Sequence, residues 1–333
     1  MKKISKIVAL ALSLVLTGSL LAGCGKTSPT ESKKGSETKQ EEKSSGTEVA
    51  VILKTLSNPF WVSMKEGIER EAKAKNIKVD VFAAASEDDV QGQLKLLENL
   101  LNKNYKAIGV APLSPVNLIP AIAQANKKGI YVVNIDEKVD MKELKNAGGS
   151  IVSFVNTDNV KVGEKGAKFI TDKLGANGGE VAIIEGKAGN ASGEARKVGA
   201  KKGFEAAKGI KLVASQPADW DRSKALDVAT NMLQRYPNIK AFYCANDTMA
   251  LGVVQAVENA GKKDKIVVVG TDGAPEAIQS VNDGKLGATV AQDSAQIGVA
   301  SLNELLKALK DKPEISADKE PAVISVDSKL IVK

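Results

Sequence analysis

The sequence predicts an α/β fold of two lobes, each a doubly wound parallel sheet with helices on both faces. Three observations lead there. Short β-branched runs alternate with stretches of helical periodicity, the βαβα signature of parallel sheets. Several runs are apolar at consecutive positions, which suits strands covered on both faces. About ten such runs in 333 residues exceed one ordinary sheet, and at roughly 150 residues per domain the length also suggests two units.

The elements follow in chain order. Met1 to Lys6 is basic, Ile7 to Leu16 is apolar, and Thr17 to Ser19 leads into Leu21-Ala22-Gly23-Cys24. Residues 1–24 therefore read as a signal peptide. Its apolar stretch is short of the roughly 20 residues a membrane-spanning helix needs. Leu21 to Cys24 resembles the lipobox of bacterial lipoproteins, which makes Cys24 the expected lipidation site. Residues 25–47, rich in Ser, Thr, Lys, Glu and Gly, bury nothing and read as a flexible tether. From Glu48 the expected strands are Val49–Leu53, Val79–Phe82, Ala107–Val110, Ile130–Val133, Ile151–Phe154, Val181–Ile184, Leu212–Ser215, Ala241–Tyr243, Ile266–Val269 and Ala288–Ala291. Between them, Phe60, Met64, Ile68 and Ala72 make one helical stripe, and Val90, Leu94, Leu97 and Leu101 make another, opened by a capping box at Ser86 and Asp89. Cys244, inside the apolar run Ala241 to Ala245, is expected to be a small buried hydrophobe. With Cys24 lipidated, no internal disulfide can form.

Composition narrows the chemistry. There is no histidine, which removes imidazole metal ligands, Ser-His-Asp and Cys-His pairs and histidine general bases; no metal and no cofactor is expected. The formal charge is +7, but three lysines lie in the first six residues and the tether carries five lysines against four glutamates. The lysines and acids of the remaining body are interleaved without blocks, so nucleic acid is not an expected partner.

Ligands of open α/β sheets lie beyond the carboxyl ends of the strands, so the residues following each run are the candidates. The first run ends in Lys54, then Asn58, Phe60 and Trp61. Asp136 and Glu137 follow the fourth; Asn190, and Arg196 in the next helix, follow the sixth. Trp220 follows the seventh, and Asn246, Asp272 and Gln292 close the last three. A pyranose presents a belt of hydroxyls that both donate and accept, and two faces made largely of C–H bonds. Carboxylates and amides suit the belt and aromatic rings the faces. The mixed signs argue for a neutral polyol. A hexose has about twelve heavy atoms, and micromolar capture asks for roughly −0.7 kcal/mol from each, near the efficient end of the range. Enclosure between two lobes would supply it. Structural readings stand beside these: Asn58 before Pro59 and Asn246 before Met249 suit helix N-caps, Asp136 and Asp272 suit turns, and the three aromatics suit a core.

At these residues the chain resembles the periplasmic sugar-binding proteins of type I fold that feed ABC transporters, within their allose- and ribose-binding branch. The matching runs are Val51 to Trp61 (VILKTLSNPFW), Lys128 to Lys138 (KGIYVVNIDEK), Gly179 to Arg196 (GEVAIIEGKAGNASGEAR), Leu212 to Arg222 (LVASQPADWDR), Tyr243 to Ala250 (YCANDTMA) and Val269 to Gly273 (VGTDG). The resemblance implies a Venus-flytrap fold with a three-segment hinge, crossing near Phe154 to Asn156, near Gln292 to Asp293 and near Val323. One lobe would comprise residues 48–155 with 293–322, the other 156–292 with 323–333. It implies that all twelve candidates contact a monosaccharide, allose or a close relative such as ribose. It further implies delivery to an ABC permease and its ATPase, by a monomer. The lipobox and tether depart from the soluble members of that family and imply a receptor lipid-anchored through Cys24 at the outer face of the cell membrane. Two other functions compete: a sugar-binding sensory module without transport, and an enzyme using Glu185 and Asp136 as acid and base.

Overall fold

A computed structural model describes residues 47–333. The expected signal peptide, the lipidation at Cys24 and the tether up to residue 46 lie outside these residues. Strands β1 (Val49–Leu53), β2 (Asp80–Ala83), β3 (Ala107–Val110), β4 (Tyr131–Ile135), β5 (Ser153–Asn156), β6 (Gly179–Glu185), β7 (Ile210–Pro217), β8 (Ile239–Cys244), β9 (Val267–Asp272), β10 (Ala288–Gln292), β11 (Ala322–Ser325) and β12 (Ser328–Ile331) form two six-stranded sheets. Their orders are β11-β5-β4-β3-β1-β2 and β12-β10-β9-β8-β6-β7. All neighbours are parallel except β12, which runs antiparallel to β10. The ten expected strands are all present, with ends displaced by a few residues.

Helices α1 (Pro59–Ala74), α2 (Val90–Leu100), α3 (Ile119–Lys127), α4 (Met141–Asn146), α5 (Asn159–Leu174), α6 (Ala191–Glu205), α7 (Arg222–Arg235), α8 (Asp247–Asn259), α9 (Pro275–Asn282) and α10 (Ser294–Asp311) cover the faces. Successive strand residues point to opposite faces, and β1 uses both: Ala50 and Ile52 pack with Leu97, Leu100 and Ile122, whereas Val49, Val51 and Leu53 pack with Met64, Ile68, Ile297 and Leu305. Each large side chain so buried contributes roughly 1.5–3 kcal/mol. The stripe Phe60, Met64, Ile68 and Ala72 is buried as expected. The start of α2 is not where the sequence suggested. Asp89 itself is the N-cap, accepting from the Gly92 amide at 3.0 Å, while Ser86 accepts from the Asp88 amide within the preceding turn. Cys244 is buried, and burial pushes its thiol up, so it stays protonated and inert.

The chain passes between the lobes after Asn156, after Gln292 and once more near the C-terminal strands. This last passage lies at Val326–Asp327, later than the expected position at Val323, because Val323 pairs with Phe154 inside the first sheet. The boundary of 322/323 is thus corrected: β11 completes the first lobe, and only β12 belongs to the second. These two short edge strands have little apolar alternation to reveal them.

Glycines fix how α6 is presented to the cleft. A Cβ on Gly163 of α5 would overlap the Arg196 carbonyl oxygen of α6, and one on Gly199 of α6 would overlap the Val160 carbonyl oxygen. This backbone-to-backbone crossing brings Asn159 within reach of Arg196, whose Nε donates to Asn159 Oδ1 at 2.8 Å. Gly163→Ala should therefore destabilise the protein by roughly 1–3 kcal/mol through overpacking. Urea denaturation measures this; a change within about 0.5 kcal/mol would show that the helices separate at little cost.

Candidate functional site

Both sheets share the winding order 2-1-3-4-5, which reverses between β1 and β3 and between β6 and β8. That reversal leaves a crevice at the carboxyl edge. The two crevices face each other across a narrow cleft with a free volume of only about 30 Å3, lined by Lys54, Asn58, Phe60, Trp61, Glu87, Asp136, Ser192, Arg196, Trp220, Asn246 and Asp272. Nine of the twelve candidates are therefore lining residues.

From the first lobe, Lys54 follows β1 directly. Asn58 caps α1, its Oδ1 accepting from the Phe60 amide at 3.0 Å, so the capping role and the cavity position coexist. Pro59 begins α1, which suits its fixed φ, and the first turn of the helix carries Phe60 and Trp61, whose rings meet edge to face at 4.9 Å. The Trp61 indole N–H donates to Glu87 at 3.3 Å. The turn after β4 is held by Asn134, whose side chain donates to the Glu137 carbonyl at 2.8 Å and accepts from the Val139 amide at 3.0 Å. That turn presents Asp136. From the second lobe, Asn246 caps α8 by accepting from the Met249 amide at 2.8 Å. Arg196 donates to the Ala245 carbonyl at 2.7 Å, lies 3.6 Å from Asp272 and faces the Trp220 ring at 5.8 Å.

Backbone strain concentrates in the same place. Asp136, Trp220 and Asp272 have φ of 58°, 65° and 120°, conformations uncommon for residues with a Cβ and gathered typically where side-chain direction matters more than local energy. Asp136 and Asp272 are turn residues, as one reading of the sequence had them, and cavity residues as well.

The electrostatics are those of a buried, crowded site. Burial opposes the charge of Lys54, but the neighbouring carboxylates of Glu137, Glu87 and Asp136 outweigh it and raise the lysine above its ordinary value. Burial pushes Asp136 up to about 6, although Lys54 and Arg196 pull the other way. Asp272 is also raised, chiefly by burial and against the pull of Arg196 and Gln292. Behind it Asp247, fully buried without a cation beside it, is raised further by burial and by Asp272. Its two oxygens accept from the Thr289 hydroxyl and the Ala274 amide, each at 2.8 Å. Among the described residues, Asp136 Oδ1 and Gln292 Oε1 are buried polar atoms with no partner. The arrangement offers acceptors, two cations and aromatic faces. Among the described residues no group of three acidic, Cys or His side chains is placed to hold a metal.

Three candidates stand elsewhere. Gln292 is behind Asp272, donating to it at 2.8 Å, and opens on a neighbouring groove. Asn190 donates to the Leu113 carbonyl at 2.9 Å and accepts from the Trp220 indole at 3.0 Å. Glu137 is fully buried against Lys54 and the start of α6. Glu185, the acid of the enzymatic alternative, pairs with Lys197 and Ser215 and is no part of the cavity wall. Sequence reasoning missed Glu87 and Ser192. Glu87 lies beyond β2, where the strand-end rule points as well as it does beyond β1; Ser192 carries no signal beyond its place near Asn190.

The comparisons agree with this architecture. A family model described as a periplasmic binding protein domain matches residues 49–313. The D-allose-binding periplasmic protein of Escherichia coli K12 is 64% identical over 86% of this chain and 92% of its own length. The ribose import binding protein RbsB of Bacillus subtilis is 37% identical over 92% of this chain and 96% of its own. An ABC transporter periplasmic solute binding protein from Actinobacillus succinogenes, solved with bound D-allose, superposes with a TM-score of 0.80 at 38% identity, covering 86% of this chain and 98% of that one. Matched along nearly the whole of its two lobes, the chain belongs to the periplasmic binding protein family.

Proposed function

We propose that this protein captures a monosaccharide, D-allose or a close relative such as ribose, between its lobes and delivers it to an ABC-type permease driven by an ATPase. The observation that carries the reading is Asp136: a buried carboxylate oxygen without a partner, aimed by a strained backbone at a small cavity whose opposite walls bear Trp61 and Trp220. Hydroxyl donors of a sugar would satisfy it, and the indoles suit sugar faces. The names of the E. coli and A. succinogenes relatives favour allose. The cavity residues Lys54, Asn58, Phe60, Trp61, Asp136, Arg196, Trp220, Asn246 and Asp272 are the proposed contacts, joined by Glu87 and Ser192. The Leu21 to Cys24 lipobox supports a lipid anchor that keeps a monomeric receptor outside the cell membrane. Titration calorimetry with allose, followed by analysis of the recovered sugar, tests the function: heat of binding with unchanged sugar is expected, and turnover would overturn the reading.

The electrostatics generate two further expectations. Binding needs Asp136 as an acceptor, so affinity should be constant near pH 7–8 and fall as pH drops through about 6. An affinity flat down to pH 5 would remove the carboxylate from the contact set. Folding carries the opposite sign. Because the folded state holds the Asp136 proton more tightly than the unfolded chain, its ionisation lowers stability as pH rises from 3.8 to about 6, by up to about 3 kcal/mol. Asp136→Asn, which tolerates a positive φ, should raise the melting temperature of the sugar-free protein at pH 7 while weakening allose roughly ten- to hundredfold. A variant that binds and melts like the parent would contradict both.

A further inference from the structure

Among the described residues, every hydrogen bond that joins the lobes away from the hinge is made by one short segment, Lys187 to Ser192, at the start of α6. Lys187 Nζ donates to the Glu87 carbonyl at 2.9 Å and to Asp88 Oδ1 at 2.5 Å. Asn190 donates to the Leu113 carbonyl. Glu137 receives the Ala191 amide, the Ser192 hydroxyl at 2.8 Å and, more weakly, the Ser192 amide at 3.5 Å. A carboxylate of one lobe thus caps a fifteen-residue helix of the other, where the helix dipole favours negative charge. The same carboxylate holds Lys54 Nζ at 3.2 Å and is not among the cavity-lining residues.

We infer that Glu137 is a positioning residue, not a sugar contact, and that with Lys187–Ser192 it forms a clasp that sets the balance between open and closed lobes whichever sugar is bound. The inference rests on the sugar-binding reading, and it specifies how the same site is regulated. A contact present only in the closed form and absent from the ligand multiplies the apparent dissociation constant of every ligand by one common factor, since it changes only the competent fraction. A sugar contact changes the factor from one sugar to the next. Asn190 extends the clasp inward, because the side chain that reaches Leu113 also fixes the Trp220 indole.

Lys187 and Asp88 make the cleanest test, being outside the cavity wall and exposed enough to substitute without loss of the fold. Lys187→Ala, Asp88→Ala, the double variant and Glu137→Gln are titrated with allose and with ribose, and the radius of gyration of each sugar-free protein is measured by small-angle X-ray scattering. The expected result is a dissociation constant raised by the same factor for both sugars, about two- to fivefold for the single exposed variants. The Lys187/Asp88 double should be no weaker than either single, and the sugar-free variants should be larger in radius than the parent. Unequal factors for the two sugars in the Lys187 or Asp88 variants would overturn the clasp, as would unchanged affinity and radius; Glu137→Gln also loosens Lys54 and is read by its radius. Should the parent bind no sugar, the proposed function fails, and the radii of the sugar-free proteins still decide whether the clasp exists. Should Glu137→Gln not fold, the exposed pair decides alone.

Discussion

The interaction on which this structure depends is the mutual neutralisation of charges buried away from bulk solvent. Lys54 and Arg196 lie at the bottom of the space between two sheets, each 4% exposed or less, with Glu137, Asp136 and Asp272 around them. Any one of these ions alone would be expelled from such a place. Lys54 is tolerated because Glu137 faces it, and Arg196 because Asn159, the Ala245 carbonyl and Asp272 surround it. The set is incompletely satisfied at one Asp136 oxygen, which is left free to accept a hydrogen bond.

Such a constellation needs precise placement, and rigid elements supply it. Lys54 sits at the end of a fully buried strand, and Arg196 on a helix locked by a glycine crossing. Where strands end, the chain adopts positive φ at Asp136 and Asp272, turning side chains inward that an ordinary strand exit would send elsewhere. The strain is carried by the packed sheets beneath, and the acid pair Asp247 and Asp272 shows the same priority: burial opposes the charge of both, yet Asp272 stands at the cavity wall.

Much of this was legible beforehand, for identifiable reasons. Consecutive apolar residues in β1, β3 and β8 announce strands covered on both faces, and the rule that ligands gather beyond strand ends selected the cavity wall. What stayed hidden depends on distance in space rather than along the chain. Glu137 and Asn190 neighbour true wall residues in sequence, yet they turn toward the opposing lobe, and nothing local distinguishes a side chain facing a ligand from one facing a helix terminus. Glu87 is polar, follows a half-buried edge strand and looks like any loop glutamate until Trp61 is placed against it. The edge strands β11 and β12 are too short and too exposed to carry a periodic signature.

The three passages between the lobes have a bearing on how the chain acquires its shape. Neither lobe is a continuous piece: the first sheet lacks its outer strand and α10 until residues 294–325 have joined it, and the second is bordered by a strand that follows still later. A polypeptide that emerges amino end first therefore cannot finish one half and then begin the other. Both must wait for the same final stretch, which makes the molecule a single late-closing folding unit with many long-range pairings, a topology that slows assembly and leaves half-made sheets exposed to proteases until the end.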